Sequence, residues 1–134
     1  MVYDVHYIGK INLDIYRCIT EDIVTDEVII TDNRIEHIIS RRGQEFYDKY
    51  HGRFAEILND PDYIFKDDLP NTAIVCKGFV EDGKYINIVL RVVVEGDNPS
   101  YKNSIVTAIG TSEKRFAQML RNNQPIYSKN IDKA

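Results

Sequence analysis

The stretch "TAIVCKGFVEDGKYINIVLRVVV", residues 72–94, decides how this chain folds. Valine and isoleucine recur on both sides of a central "EDGK", and β-branched side chains suit the pleated, half-buried surface of a sheet. The Asp82-Gly83 pair is a hairpin signal, because glycine enters the positive-φ conformations of a tight turn at no steric cost. The stretch therefore reads as two antiparallel strands. Side chains alternate across a strand. Lys77 then shares a side with Val75 and Phe79, and Arg91 shares one with Asn87 and Val89, opposite Ile86, Ile88, Leu90 and Val92. A mid-strand cation on each strand is a candidate binding group, although a solvated sheet face also accommodates Lys and Arg.

The same alternation extends to both sides. "DYIFK" (62–66) and "NSIVTAIG" (103–110) are strand-like, and "DDLPN" and "EGDNPSYK" join them to the central pair. These connections are too short for crossover helices, so a four-stranded antiparallel meander is expected. Strict alternation places Ser104 and Thr107 on opposite sides, and either hydroxyl can donate to a substrate oxygen.

Before the sheet the period changes. In "TDNRIEHIISRR" (31–42), Thr31 or Asp32 can cap a helix, and Glu36 lies where the macrodipole favours an acid. Gly43 ends or kinks that helix, and residues 44–58 form a second one, with Phe46, Tyr47, Tyr50, Phe54, Ile57 and Leu58 on one stripe. Pro61 closes it. After Gly110, "TSEKRFAQMLRNN" has Thr111 or Ser112 as cap and Phe116, Met119 and Leu120 on one side of a final helix. The first thirty residues contain the alternations "VHYIGKI", "LDIYRCI" and "EVIIT", which read as short strands or an extended arm over residues 1–27; "QPIYSKN" is a tail or short strand. The expected architecture is a single α+β domain over residues 1–134: N-terminal arm, two helices, a four-stranded antiparallel sheet and a C-terminal helix. Helices cover one sheet face, leaving the other free to be a site.

Composition narrows the class. With 134 residues, 43% hydrophobic and 28% charged, the chain fits one soluble domain. It has no run approaching the roughly 18 apolar residues of a membrane helix. Its start, "MVYDVHYIGK", lacks the layout of a signal peptide, so a cytoplasmic location and no membrane partner are expected. Cys18 and Cys76 show no metal-ligand spacing and are expected to be small buried hydrophobes. The net charge of −4 weighs against a generic nucleic-acid coat, yet Arg34, Arg41, Arg42, Lys49 and Arg53 cluster in the helical region.

The candidate chemistry lies in the first long helix and on the strands. At about 100° per residue, Ile35, Ile38 and Ile39 centre one helical face and Arg42 falls within it. An arginine there snorkels, meets a carboxylate, or faces a wet cleft that binds an anion. His37 and Arg41, four residues apart, stand together on another side, and histidine is the side chain suited to moving protons near neutral pH. His6, in the arm, and His51, beside Gly52, have no companion that argues a role. Phosphate-binding, dinucleotide and metalloprotease motifs are absent, and Asp60, Asp62, Asp67 and Asp68 read as loop residues. The residues present suit a metal-free, cofactor-free reaction in which RNA is cut through its own 2′-hydroxyl. That needs a base for the hydroxyl, an acid for the leaving 5′-oxygen, and cations for the phosphorane.

Five segments, "EVIITDNRIEHIISRR", "FAEILNDPDYIF", "NTAIVCK", "INIVLRVVV" and "YKNSIVTAI", resemble in order and wording the phage and mobile-element nuclease domains of the barnase, EndoU, colicin and RelE-like superfamily, over roughly residues 28–121. The resemblance implies two helices followed by a four-stranded antiparallel sheet, and a metal-independent endoribonuclease of toxin-like or phage-borne type. It matches His37 to the helix histidine of "IEHI", and Arg41-Arg42 stands where related sequences often read Arg-His. Lys77, Arg91 and Thr107 fall on strands where such nucleases place cations and a hydroxyl. The expected catalytic set is His37, Arg42, Lys77, Arg91 and Thr107, with Arg41 and Ser104 binding substrate. The expected partners are RNA, with tRNA and ribosome-associated RNA both open, and an immunity or antitoxin protein. The alternative is a non-catalytic RNA- or protein-binding module on the same scaffold.

Overall fold

The structure, a computed structural model, describes residues 4–129; residues 1–3 of the expected arm and Asn130 of "QPIYSKN" lie outside the described residues. The elements run β1 (Val5–Lys10), α1 (Leu13–Tyr16), β2 (Glu27–Thr31), α2 (Asp32–Arg42), α3 (Gln44–Tyr50), α4 (Phe54–Asn59), β3 (Tyr63–Lys66), β4 (Thr72–Phe79), β5 (Lys84–Arg91), β6 (Asn103–Ser112), α5 (Glu113–Asn122) and β7 (Tyr127–Ser128). Among the described residues no helix is long and apolar enough to cross a membrane.

The sheet corrects the expectation of four antiparallel strands. It has seven strands in the order β1-β2-β6-β5-β4-β3-β7, and it is mixed, because β2 pairs parallel to β6 through Val28↔Asn103 and Ile29↔Ser104. The meander β3-β4-β5-β6 is present in its middle. The N-terminal alternations "VHYIGKI" and "EVIIT" form an antiparallel pair, β1 and β2, and this pair joins the meander at β6. Connection lengths report only the pairing of consecutive strands, so they could not reveal a partnership between residues some 75 apart. "LDIY" is a short helix, not a strand; Asn12 caps it through a bond from the Asp14 amide. Its Tyr16 is fully buried and donates its hydroxyl to the Leu58 carbonyl at 2.6 Å, closing the end of α4.

Helices cover both faces, not one. Ile38 of α2, Tyr50 of α3 and Ile57 and Leu58 of α4 pack with Val75, Ile86, Ile88 and Ile105 in one core. On the opposite face α5 sets Phe116 against Phe65 and Cys76. The Tyr85 and Phe116 rings stack at 3.7 Å, nearly parallel at 4°. Gly78 makes this possible, since a Cβ there would stand 3.0 Å from the Tyr85 ring. The second predicted helix is broken by a 3-10 turn at His51–Arg53, and Gly43 separates it from α2. Cys76 is buried as expected, but Cys18 is exposed.

Two polar ties hold the layers in register. Asn103, fully buried, accepts from the Val93 amide and donates to the Thr25 carbonyl, each at 2.8 Å, where β6 begins beside β2. Lys77 projects to the helical side and donates to the Asp60 carbonyl at 2.8 Å and its carboxylate at 3.2 Å, while Lys129 reaches the same carboxylate at 2.8 Å. The Lys129 bond, with that of Lys77 behind it, holds the Asp60 carboxyl below its usual range.

Removing a buried partner costs about 1–3 kcal/mol for each polar group orphaned. Asn103→Ala orphans the Val93 amide and the Thr25 carbonyl and is therefore expected to lower the unfolding free energy by about 2–6 kcal/mol, measured by urea denaturation. Asp60 makes a pH-dependent contribution. Its folded-state value is depressed, so its stabilisation is present above the unfolded carboxylate value of about 4 and is lost as pH falls through the folded value. Asp60→Asn should melt below the wild type at neutral pH, with the gap closing as both are acidified.

Candidate functional site

α5 covers only the β3 to β5 part of its face, which leaves the face open over β1, β2, β6 and the end of β5. On this floor Arg91 stands in register with Ser104 across β5 and β6, and Ile29 lies beside Ser104 on β2. The loop before β6 brings Asp97, Tyr101 and Lys102 over it, enclosing a cleft of about 500 Å³. The Arg91 guanidinium is exposed and has no hydrogen bond or ion pair among the described residues. Asp97 accepts from the Val94 amide through one carboxylate oxygen and makes no ion pair with Arg91 among the described residues. Lys102 pairs with Glu27 at 2.6 Å at the rim, and this bond holds the Glu27 carboxyl below its usual range. Tyr101 is 58% exposed.

A bulge overturns the expectation for the two hydroxyls. Val89 faces Thr107 and Leu90 faces Ile105, so Val106 is an extra residue in β6. The alternation slips by one, and Ser104 and Thr107 come to the same face as Arg91 instead of opposite faces. The Thr107 hydroxyl oxygen is buried without a partner among the described residues, as is Oδ1 of Asn87 on the same face. A buried polar atom without a partner is uncommon, and it marks this part of the face as chemically unfinished. Of the predicted site residues, Arg91 and Ser104 are thus brought together in the cleft, and Thr107 lies on the same face outside its lining.

The others are placed elsewhere. Arg42 lies on the apolar face of α2 and donates through Nε to the Ala108 carbonyl at 3.0 Å. That carbonyl is on the part of β6 beyond its two-residue pairing with β2, so Arg42 takes a strand edge that no other strand takes. Lys77 is held by Asp60 on the helical side. His37 is half-buried on the flank of α2, a quarter-turn from the core residue Ile38, and Arg41 is exposed one turn beyond. The structure does not bring His37, Arg42 or Lys77 to the Arg91 cleft.

Sequence reasoning missed a second pocket, of about 440 Å³, between β1 and the α3 region. His6 lines it from β1, His51 from the turn after α3, and Ile35 and Tyr47 complete its wall. His6 Nε2 lies 2.5 Å from the Asp32 carboxylate. His51 Nδ1 lies 2.7 Å from the Tyr47 carbonyl, and its ring stacks on that of Tyr47 with centroids 4.7 Å apart. Burial, with the nearby Asp32 charge, pushes the Tyr47 phenol above its usual value. His6, Tyr47 and His51 therefore line one space, and Asp32 holds His6 at its edge. In sequence these residues are 6, 32, 47 and 51, and Asp32 read only as a helix cap, so no local spacing signalled the group.

Comparison with curated proteins and with solved structures finds no match. A family model does match, over residues 4–128, which includes β1, both clefts and α5. The chain belongs to PBECR2, the phage-Barnase-EndoU-ColicinE5/D-RelE like nuclease2 family.

Proposed function

We propose that this nuclease is a metal-independent endoribonuclease that cuts RNA through its own 2′-hydroxyl and holds the RNA backbone on the open sheet face. The observation that carries this reading is the Arg91–Ser104 pair, an uncommitted guanidinium in register with a hydroxyl on the floor of a cleft. Arginine offers a rigid fork of donors that matches phosphate geometry, and Ser104 adds a hydroxyl beside it on the cleft floor. Tyr101, exposed above the floor, offers a ring on which an unpaired base stacks, which is how single-stranded RNA is commonly held. Such a site suits an acidic protein, because a few fixed cations are enough where shape and stacking supply the rest.

Phosphate contact falls to Arg91, with Lys102 at the rim, and hydrogen bonding to Ser104; the Thr107 hydroxyl is buried on the same face and lies outside the cleft lining. Arg42 and Lys77, held by protein acceptors, serve the fold in this reading. Incubated with RNA in EDTA, the protein is expected to leave fragments ending in 2′,3′-cyclic phosphate. A charged hydrogen bond contributes about 1.5–3 kcal/mol, so Arg91→Ala should weaken RNA binding by roughly 10- to 100-fold, with Arg91→Lys between. RNA that is bound but left intact would make the chain a binding module, and undiminished binding by Arg91→Ala would remove the cleft from the account.

A further inference from the structure

The open face supplies a cation and hydroxyls for RNA, but among the described residues no histidine lines the Arg91 cleft. The pocket between β1 and α3 is lined by two. Resting on the endoribonuclease reading, we propose that His6 and His51 are its general acid and general base, with Asp32 as the residue that positions His6.

The hydrogen bonds assign the nitrogens. A carbonyl only accepts, so Nδ1 of His51 carries the hydrogen that it donates to Tyr47, and Nε2 is left as the basic atom when the ring is neutral. The carboxylate of Asp32 likewise accepts from Nε2 of His6, which leaves Nδ1 of His6 as the nitrogen that exchanges a proton with substrate. The two rings are fixed from opposite walls, His6 by a carboxylate on the first residue of α2 and His51 by its carbonyl bond and its stack on Tyr47. Both rings line one pocket of about 440 Å³, open to solvent.

The step balances. His51 Nε2 takes the proton of the 2′-hydroxyl as the 2′-oxygen bonds to phosphorus. The bond from phosphorus to the 5′-oxygen breaks, and His6 gives that oxygen its Nδ1 proton. The products are a 2′,3′-cyclic phosphate and a 5′-hydroxyl. The chain links this pocket to the Arg91 cleft directly, because β1 is an edge strand whose consecutive residues serve both: Val5 lines the cleft and His6 the pocket. A single strand of RNA passing over that edge occupies the two together. Tyr7, 59% exposed on the same strand and also lining the pocket, offers it a stacking surface.

The test uses the full chain and a short single-stranded RNA, in one version ordinary and in another with sulfur in place of the bridging 5′-oxygen at the cut site. A thiolate leaves without a proton, so the second substrate bypasses the acid. General acid–base groups contribute about 100- to 10,000-fold each. His6→Ala should lose at least about 100-fold on ordinary RNA and recover on the sulfur-substituted one, which also shows that it folds. His51→Ala should lose a similar factor on both, with activity restored by added imidazole. Asp32→Asn should lower kcat without raising KM. If both histidine variants cut ordinary RNA within a few-fold of wild type, the assignment is overturned while the endoribonuclease reading stands; loss in His37→Ala instead would move the role to α2. A wild-type protein that cuts neither RNA would overturn the function and the assignment together.

Discussion

The two-residue parallel junction between β2 and β6 is the constraint on which this molecule depends. It attaches the N-terminal strand pair to the meander, and Asn103 fastens it from inside by joining the tail of β5 to the segment before β2. Because β2 leaves the sheet after Thr31, the rest of the β6 edge is free for α2, and Arg42 reaches its Ala108 carbonyl. The same departure sends the chain into α2 at Asp32, which is how that carboxylate comes to stand against His6 on the neighbouring strand. One short contact therefore fixes the floor of the Arg91 cleft and the wall of the histidine pocket.

Family membership states that the protein is a nuclease, and the geometry suggests how the work is divided. An exposed guanidinium with no partner among the described residues suits a polyanion, whereas an imidazole locked by a carboxylate suits proton transfer. The two lie on opposite sides of β1. Within α2, Arg42 has a structural explanation, since a strand carbonyl beside an apolar helix face needs a donor and the long arginine stem supplies one without burying its whole head.

Much of the meander was legible in sequence because its signals are local. Alternation gave strands in "TAIVCKGFV" and "YINIVLRVVV", which the structure has at Thr72–Phe79 and Lys84–Arg91, but spacing within each strand did not reveal that Lys77 and Arg91 fall on opposite faces of the sheet. The cap alternatives Thr31 or Asp32 and Thr111 or Ser112 marked two helix starts, and the structure takes Thr31 and Ser112. What stayed hidden depends on distant partners. The parallel pairing of residues 28–29 with 103–104, the crossing of α5 to the second face, and the bulge at Val106 leave no trace in spacing. The bulge matters most for the site, because one extra residue brings Thr107 to the side of Ser104. Likewise His6 and His51 each looked solitary, since the groups that orient them are a carboxylate 26 residues away and a backbone carbonyl.

The most direct test of the account is where uncleavable RNA lies on the protein. A short RNA lacking the 2′-hydroxyl at the cut site, added to protein with nitrogen-labelled histidine and arginine side chains, can be followed by NMR. The account predicts that the ring nitrogens of His6 and His51 and the guanidinium of Arg91 shift together on binding, with one affinity. Shifts at His37 and Arg41 with His6, His51 and Arg91 unmoved would contradict it.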